Sequence, residues 1–254
     1  MGGSVMLNIV STGPGKIEHM SLEAIKAIEK SEVIIGYKKY VELIEELITD
    51  QKVIMNGMKH EVDRCKMALE HARMGLEVSI VSGGDAGIYG IAGIMQEIIL
   101  EEEEKVDIAI DVQVIPGISS AHAAASSLGA PIVHDSVFIS LSNLLTDLEL
   151  IKKRLHAAGM GDFVTCIYNP KSKGRPDFID MAREILLEYK QADTPVGIVK
   201  NAKRIDEKII FTNLNDMCKH NIDMSTMVIV GNQDTYIKNK RMITPRGYRR
   251  TGDA

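Results

Sequence analysis

The 254-residue chain has no tryptophan, and aromatic residues make up 4% of it. A protein that stacks single-stranded bases needs exposed rings, so that class is disfavoured. Cysteine is scarce too: Cys65, Cys166 and Cys218 are an odd number, with no C-x-x-C spacing. That argues against a zinc ribbon or a cysteine-held cluster. With no basic and apolar leader after Met1, it also points to a reducing, cytoplasmic location. Neither sign of charge dominates, since the net charge is -5, so nothing draws the chain toward nucleic acid or a membrane surface. The longest apolar stretch, residues 88–100, is broken by Gln96 and Glu97 and is too short to span a bilayer. Also missing are a G-x-S-x-G elbow, an H-E-x-x-H pair and a calcium loop. Hydrolytic and metal-dependent chemistry thus lose their usual carriers, and no metal ligands are assigned.

What is present is glycine at strand ends. Residues 81–90 read Val-Ser-Gly-Gly-Asp-Ala-Gly-Ile-Tyr-Gly, between the apolar run 78–81 and a helical stretch at 91–100. Such a turn lets backbone approach a ligand and points free N–H groups at it. Gly13-Pro14-Gly15 and Pro116-Gly117-Ile118-Ser119-Ser120 also follow apolar runs. Strands are expected at 7–10, 33–35, 78–81 and 112–115. Helices are expected after Ser21, at 40–48, at 61–74 and at 121–128. Such alternation predicts an α/β protein with a largely parallel sheet, whose ligands bind at the carboxyl ends of the strands. A second series starts beyond Ala130-Pro131, with strands at 137–141, 164–168, 196–199, 208–212 and 227–230. Helices at 144–156 and 177–189 accompany it. The domain boundary is placed near residue 135, giving domains 1–135 and 136–254.

Taken singly, the motifs leave alternatives open. Glu18 stands where a dinucleotide fingerprint has its third glycine, and Ile17 breaks a Walker A loop after Gly15-Lys16. Asp85 reads as a helix N-cap or as a partner for a cationic or hydroxyl-bearing ligand. His134-Asp135 reads as an acid–base pair or as polar linker. Lys171, Lys173 and Arg175, three cations in five residues, read as an anion site or a solvated loop. The acidic run 101–104 and the basic tail 238–250 read as solvated ends.

Together, Thr12-Gly13-Pro14-Gly15, Gly83-Gly84-Asp85-Ala86 and Pro116-Gly117-Ile118-Ser119-Ser120 resemble the loops of the tetrapyrrole methylase superfamily, which uses S-adenosylmethionine (SAM). Ala86 replaces the superfamily's usual proline. The run from Gly84 to Gly90 is similar to the branch that methylates carbon 17 of a precorrin-3B or cobalt-precorrin-3 macrocycle, with ring contraction, in cobalamin (vitamin B12) biosynthesis. So are Ile35-Gly36-Tyr37, Glu61-Val62-Asp63-Arg64-Cys65, residues 139–146, Tyr168-Asn169-Pro170-Lys171-Ser172 and Thr244-Pro245-Arg246-Gly247-Tyr248. His60 and Asn143 stand where that branch has glutamine and aspartate, so neither is taken as catalytic.

The resemblance implies two α/β domains with a SAM-binding cleft between them, a tetrapyrrole substrate and a homodimer. By motif matching, the cofactor-binding positions are Pro14, Gly83, Gly84, Asp85, Ile88, Ser119, Ser120, Asn169 and Ala202. Methyl transfer from a sulfonium needs little beyond proximity and orientation, which can supply roughly 7–11 kcal/mol. Ring contraction needs proton transfers, for which His134, Asp135 and Tyr168 are the candidates. The carboxylates of the macrocycle call for cations: Lys38, Lys171, Lys173, Arg175 and Arg246. Because no cysteine-bearing extension follows residue 250, the cluster held by some relatives is not expected. The rival readings are methylation at another carbon, or a tetrapyrrole carrier without turnover.

Overall fold

The computed structural model describes residues 6–57, 60–103 and 111–248. Glu104, Arg249 and Arg250, named above in the acidic run and basic tail, lie outside them. The chain divides into two compact units, with the division between Ser120 and Ala121.

The first unit contains β1 (Met6–Ser11), α1 (Leu22–Lys30), β2 (Val33–Tyr37), α2 (Lys38–Glu42), β3 (Lys52–Asn56), α3 (Glu61–Arg73), β4 (Val78–Ser82), α4 (Ala92–Glu103) and β5 (Asp111–Ile115). Its sheet runs β3-β2-β4-β1-β5, with every pair parallel. Side chains alternate between the faces. Leu7 and Ile9 pack with Ala68, Leu69 and Met95 of α3 and α4, and Val10, Ile34 and Val81 pack with Ala24 and Ile28 of α1. Ser21 caps α1 as its sequence implies, its side chain accepting from the Ala24 amide at 3.1 Å. The helix expected at 40–48 is instead α2 followed by a short 3-10 turn at Glu45–Leu47. The strand β3, with its half-exposed pattern, has no clear apolar signal.

The second unit begins within α5 (Ser120–Leu128). It continues with β6 (Gly129–Ala130), β7 (Ser136–Ser140), α6 (Leu148–Met160), β8 (Val164–Tyr168), α7 (Phe178–Leu187), β9 (Pro195–Lys200), β10 (Lys208–Asn213), β11 (Thr226–Val230), β12 (Tyr236–Lys238) and β13 (Arg241–Ile243). The main sheet runs β10-β9-β11-β8-β7, with β7 and β8 parallel and the other pairs antiparallel. The largely parallel expectation therefore holds for the first sheet and not for this one. α6 and α7 cover one face through Ile151, Leu155, Ile179 and Leu186.

Residues 121–135, expected in the first domain, pack with the second unit. Leu128 fills the space where a Cβ on Gly197 would stand, 2.4 Å from its methyl carbon. The ring of His122 meets Phe138 edge-on at 5.9 Å. β6 pairs with β13 in a small sheet of order β12-β13-β6. Chain reversal after Leu128 looks like a linker in the sequence, because a two-residue strand carries no periodicity.

All three cysteines are free thiols. Burial pushes Cys65 and Cys166 up to about 12, and burial followed by Asp180 does the same for Cys218. A thiol held protonated this way stabilises the fold fully below the titration of the unfolded thiol, at about pH 8.5, and loses that contribution as pH rises toward the folded value. The urea midpoint is expected to fall between pH 8 and pH 10. A midpoint that holds constant over that window contradicts the assignment. Among the described residues, no helix is long and apolar enough to cross a membrane.

Candidate functional site

In the first unit, the sheet order puts β4, β1 and β5 side by side, so the loops leaving their carboxyl ends adjoin. They are tied together by backbone and by side chains, among them Asp85 and Ser11. The Gly13 amide donates to the Gly84 carbonyl at 3.0 Å, and the Gly84 amide donates back to the Gly13 carbonyl at 2.7 Å. Asp85 accepts from the Gly87 amide on Oδ1 at 2.8 Å and from the Gly117 amide on Oδ2 at 2.9 Å. Ser11, fully buried at the end of β1, accepts from the Ala86 amide at 2.8 Å.

Glycine is required at several of these positions, two of which bring the loops together. Gly84 has φ +70°, in the left-handed region. A Cβ on Gly117 would lie 2.6 Å from both the Gly84 carbonyl oxygen and the Ser11 Cβ, so the β5 loop closes on the β4 loop for want of a side chain.

This geometry changes the reading of Asp85. It does not cap α4, which starts at Ala92. Both carboxylate oxygens accept within the loops, so Asp85 shapes the site. Ser11 escaped the sequence reading. A serine ending an apolar strand carries no signal of its own until the partner amide is known. That partner explains Ala86: a proline there has no N–H to give Ser11. Replacing Ser11 with Ala is expected to orphan the Ala86 amide and cost about 1–3 kcal/mol. Chemical denaturation measures it, and an unchanged midpoint would deny the bond any weight.

Pro14 and Ser119 are buried in this cluster, and Gly83, Ile88 and Ser120 are half-buried. A Cβ on Gly84 would lie 3.7 Å from the Ser120 amide nitrogen, which brings the β5 loop to the same spot. Lys38 opens α2 just beyond β2, exposed, with its ammonium 3.9 Å from Glu42. The cluster presents backbone polar groups and hydroxyls, with its one carboxylate already bonded. That donor set fits a neutral-to-cationic ligand such as SAM, which is recognised through its adenosine and amino-acid parts and must not meet a free nucleophile.

In the second unit, the parallel strands β7 and β8 send two loops from one edge. Asn169, with φ +50°, donates from Nδ2 to the Ser140 hydroxyl at 2.9 Å. Arg175 was expected to bind substrate, but it is 7% exposed. Its guanidinium donates to the Leu141 carbonyl at 2.6 Å and to the Asn169 carbonyl at 3.4 Å, and lies 5.9 Å from the Phe178 ring centroid. Burial holds it below the usual arginine range. It is a tie between loops, not an open cation. Lys171 is half-buried and Lys173 exposed on the same loop.

Tyr168 is 8% exposed, and its hydroxyl accepts from the Ala121 amide at 3.3 Å, in the first turn of α5. The hydroxyl is thus turned toward the helix start. His134 and Asp135 adjoin, with ring Nδ1 3.1 Å from a carboxylate oxygen and both side chains open to solvent. The same ring nitrogen, Nδ1, also lies 2.7 Å from the Asp135 amide nitrogen. The parallel pairing of β6 and β13 brings His134 beside Arg246, and with Asp234 they line a cavity of about 160 Å³. Ala202 is half-buried in the turn between β9 and β10, flanked by Asn201 and Lys203, both at positive φ.

Loops of this kind on these sheets belong to a known family. The profile of the tetrapyrrole (corrin/porphyrin) methylases matches residues 6–218, and the chain is a member of that family. A "Cobalt-factor III methyltransferase" of Priestia megaterium is 49% identical over 244 residues, which are 96% of this chain and 45% of that protein. The chain therefore spans less than half the length of that relative. A "Probable cobalt-factor III C(17)-methyltransferase" of Salmonella typhimurium is 46% identical over 243 residues, 96% of this chain and 99% of that protein. Among solved structures, the methyltransferase CobJ matches with a TM-score of 0.87 at 31% identity, covering 95% of this chain and 100% of that one.

Proposed function

We propose that this protein is a SAM-dependent methyltransferase that methylates carbon 17 of cobalt-factor III, with contraction of the ring, in cobalamin biosynthesis. The observation that carries the reading is the 46% identity to the Salmonella typhimurium protein of that name across nearly all of both chains. The Ser11–Ala86 bond supports it from within the fold, since the alanine that marks this branch has a structural partner.

The loops after β1, β4 and β5 are the proposed seat of SAM, through Pro14, Gly83, Gly84, Ile88, Ser119 and Ser120, with Asp85 holding the loops. Asn169 and Ala202 stay as proposed cofactor contacts carried over from the resemblance. SAM supplies the electrophilic methyl group. A nucleophilic carbon of the macrocycle takes it, the sulfur keeps the bonding electron pair, and S-adenosylhomocysteine leaves. The protein's share is proximity and alignment. For the proton transfers of contraction, His134 and Asp135 are the proposed groups, and the buried hydroxyl of Tyr168 is the weaker choice. Lys38, Lys171, Lys173 and Arg246 are the proposed carboxylate partners. Three free thiols support a cytoplasmic location, and sedimentation tests for the proposed homodimer.

Cobalt-factor III and methyl-labelled SAM are the direct test. Mass spectrometry and NMR should show one new methyl at carbon 17 of a contracted ring. A methyl at another carbon supports a sister methylase. Tight macrocycle binding without label transfer supports a carrier. Running the metal-free macrocycle in parallel decides whether cobalt is needed.

A further inference from the structure

Two neighbouring leucines in the second unit are uncovered: Leu144 is 68% exposed and Leu145 is 91% exposed. The helix expected from residue 144 starts at Leu148, behind an Asp147 cap, so both leucines sit in the bend between β7 and α6. That bend is anchored at its root. The Leu141 amide donates to the Tyr168 carbonyl at 2.9 Å, the Ser142 amide donates to the Ser140 hydroxyl at 3.2 Å, and the buried Arg175 holds the Leu141 carbonyl. The same guanidinium reaches the Asn169 carbonyl, at the root of the loop that carries Lys171 and Lys173. Since β7 and β8 are parallel, the leucine loop and the lysine loop leave the same edge of the sheet.

One edge thus displays an apolar tip beside a cationic loop, with the buried Arg175 among the groups that fix one against the other. A tetrapyrrole carries the complementary pattern: a wide apolar ring face and carboxylate arms at its rim. Resting on the methylase reading above, we infer that Leu144 and Leu145 form the contact for the face of the macrocycle, that Lys171 and Lys173 take its carboxylates, and that Arg175 is the positioning residue that sets their spacing. A second copy of this chain would find the leucines but has no general need of the lysines beside them.

The test uses the full chain with Leu144→Ser and Leu145→Ser together, and Lys171→Gln and Lys173→Gln together as a second variant. These loop side chains are exposed or half-exposed, so melting curves close to the parent are expected. Cobalt-factor III is titrated by its absorbance and SAM by calorimetry. The leucine variant should bind the macrocycle about tenfold or more weakly, with SAM affinity unchanged. The deficit of the lysine variant should shrink as salt is added, while that of the leucine variant persists. Macrocycle affinity of the leucine variant equal to the parent overturns the inference. So does a loss of self-association in that variant alone, which makes the leucines a contact between copies. If the parent binds SAM but no macrocycle, the substrate reading falls and this inference with it. If the parent binds the macrocycle and the leucine variant does so equally well, the inference alone falls.

Discussion

Changing Asp85 to Asn is expected to weaken SAM binding by about 10- to 100-fold, although the substitution keeps size and shape. Each carboxylate oxygen accepts from a backbone N–H, one from Gly87 in its own loop and one from Gly117 in the next. A carboxamide has one acceptor, so its NH₂ must face one of those amides, donor against donor. Hydrogen bonds to a charged acceptor contribute about 1.5–3 kcal/mol each, and an orphaned amide costs about 1–3 kcal/mol more. Losing one tie frees the β4 loop from the β5 loop, whose approach depends on the missing Cβ of Gly117. Calorimetry with SAM measures the loss. Asp85→Ala should be no milder than Asp85→Asn. If Asn binds SAM as the parent does, the carboxylate is not what sets the loop geometry.

Changing Arg175 to Met should lower stability by about 2 kcal/mol and the melting midpoint by about 4–8 °C. Two opposing effects decide the size. Removing a buried cation recovers its desolvation cost, which favours the variant. Against that, the Leu141 and Asn169 carbonyls lose a donor, one of them at 2.6 Å, and the contact over Phe178 goes as well. The short bond to a carbonyl at the root of a turn outweighs the relief. The KM for the macrocycle should rise while SAM affinity, measured separately, holds. Arg175→Lys keeps the charge but not the fork, so a partial recovery of KM is expected. A variant equal to the parent in both melting and KM removes the loop-tying role.

Much of the first unit was legible in the sequence because three of its strands, β1, β2 and β4, are buried on both faces. Runs such as Ile9-Val10 and Ile80-Val81 announce a parallel sheet, and glycine follows within three residues of each, where the backbone turns into a loop. The loops at Gly13, Gly84 and Gly117 were found that way. What the loops do to one another was not legible. The bonds from Ser11 to Ala86 and from Asp85 to Gly117 span 75 and 32 residues, and no local pattern reports them. Arg175 misled for a similar reason. A cation among lysines reads as solvent-facing until the two carbonyls that bury it are in place. The antiparallel order of the second sheet was hidden because apolar strands look alike in either direction. Leu144 counted toward a helix because its spacing fits, yet Asp147 offers the better cap and the chain starts the helix there.

The pairing of β6 with β13 also bears on how the protein is made. All five strands of the first sheet are synthesised by Ile115, so that sheet can form while the rest is still being translated. The second unit has no such independence at its start. Gly129 and Ala130 find their ladder partners in Met242 and Ile243, more than a hundred residues later. The segment that follows α5 therefore waits, unpaired, until almost the whole chain has been synthesised. His134 cannot reach its place beside Arg246 before that last strand arrives, so a nascent chain stalled short of Arg241 should carry a finished first sheet and an unassembled His134 pocket.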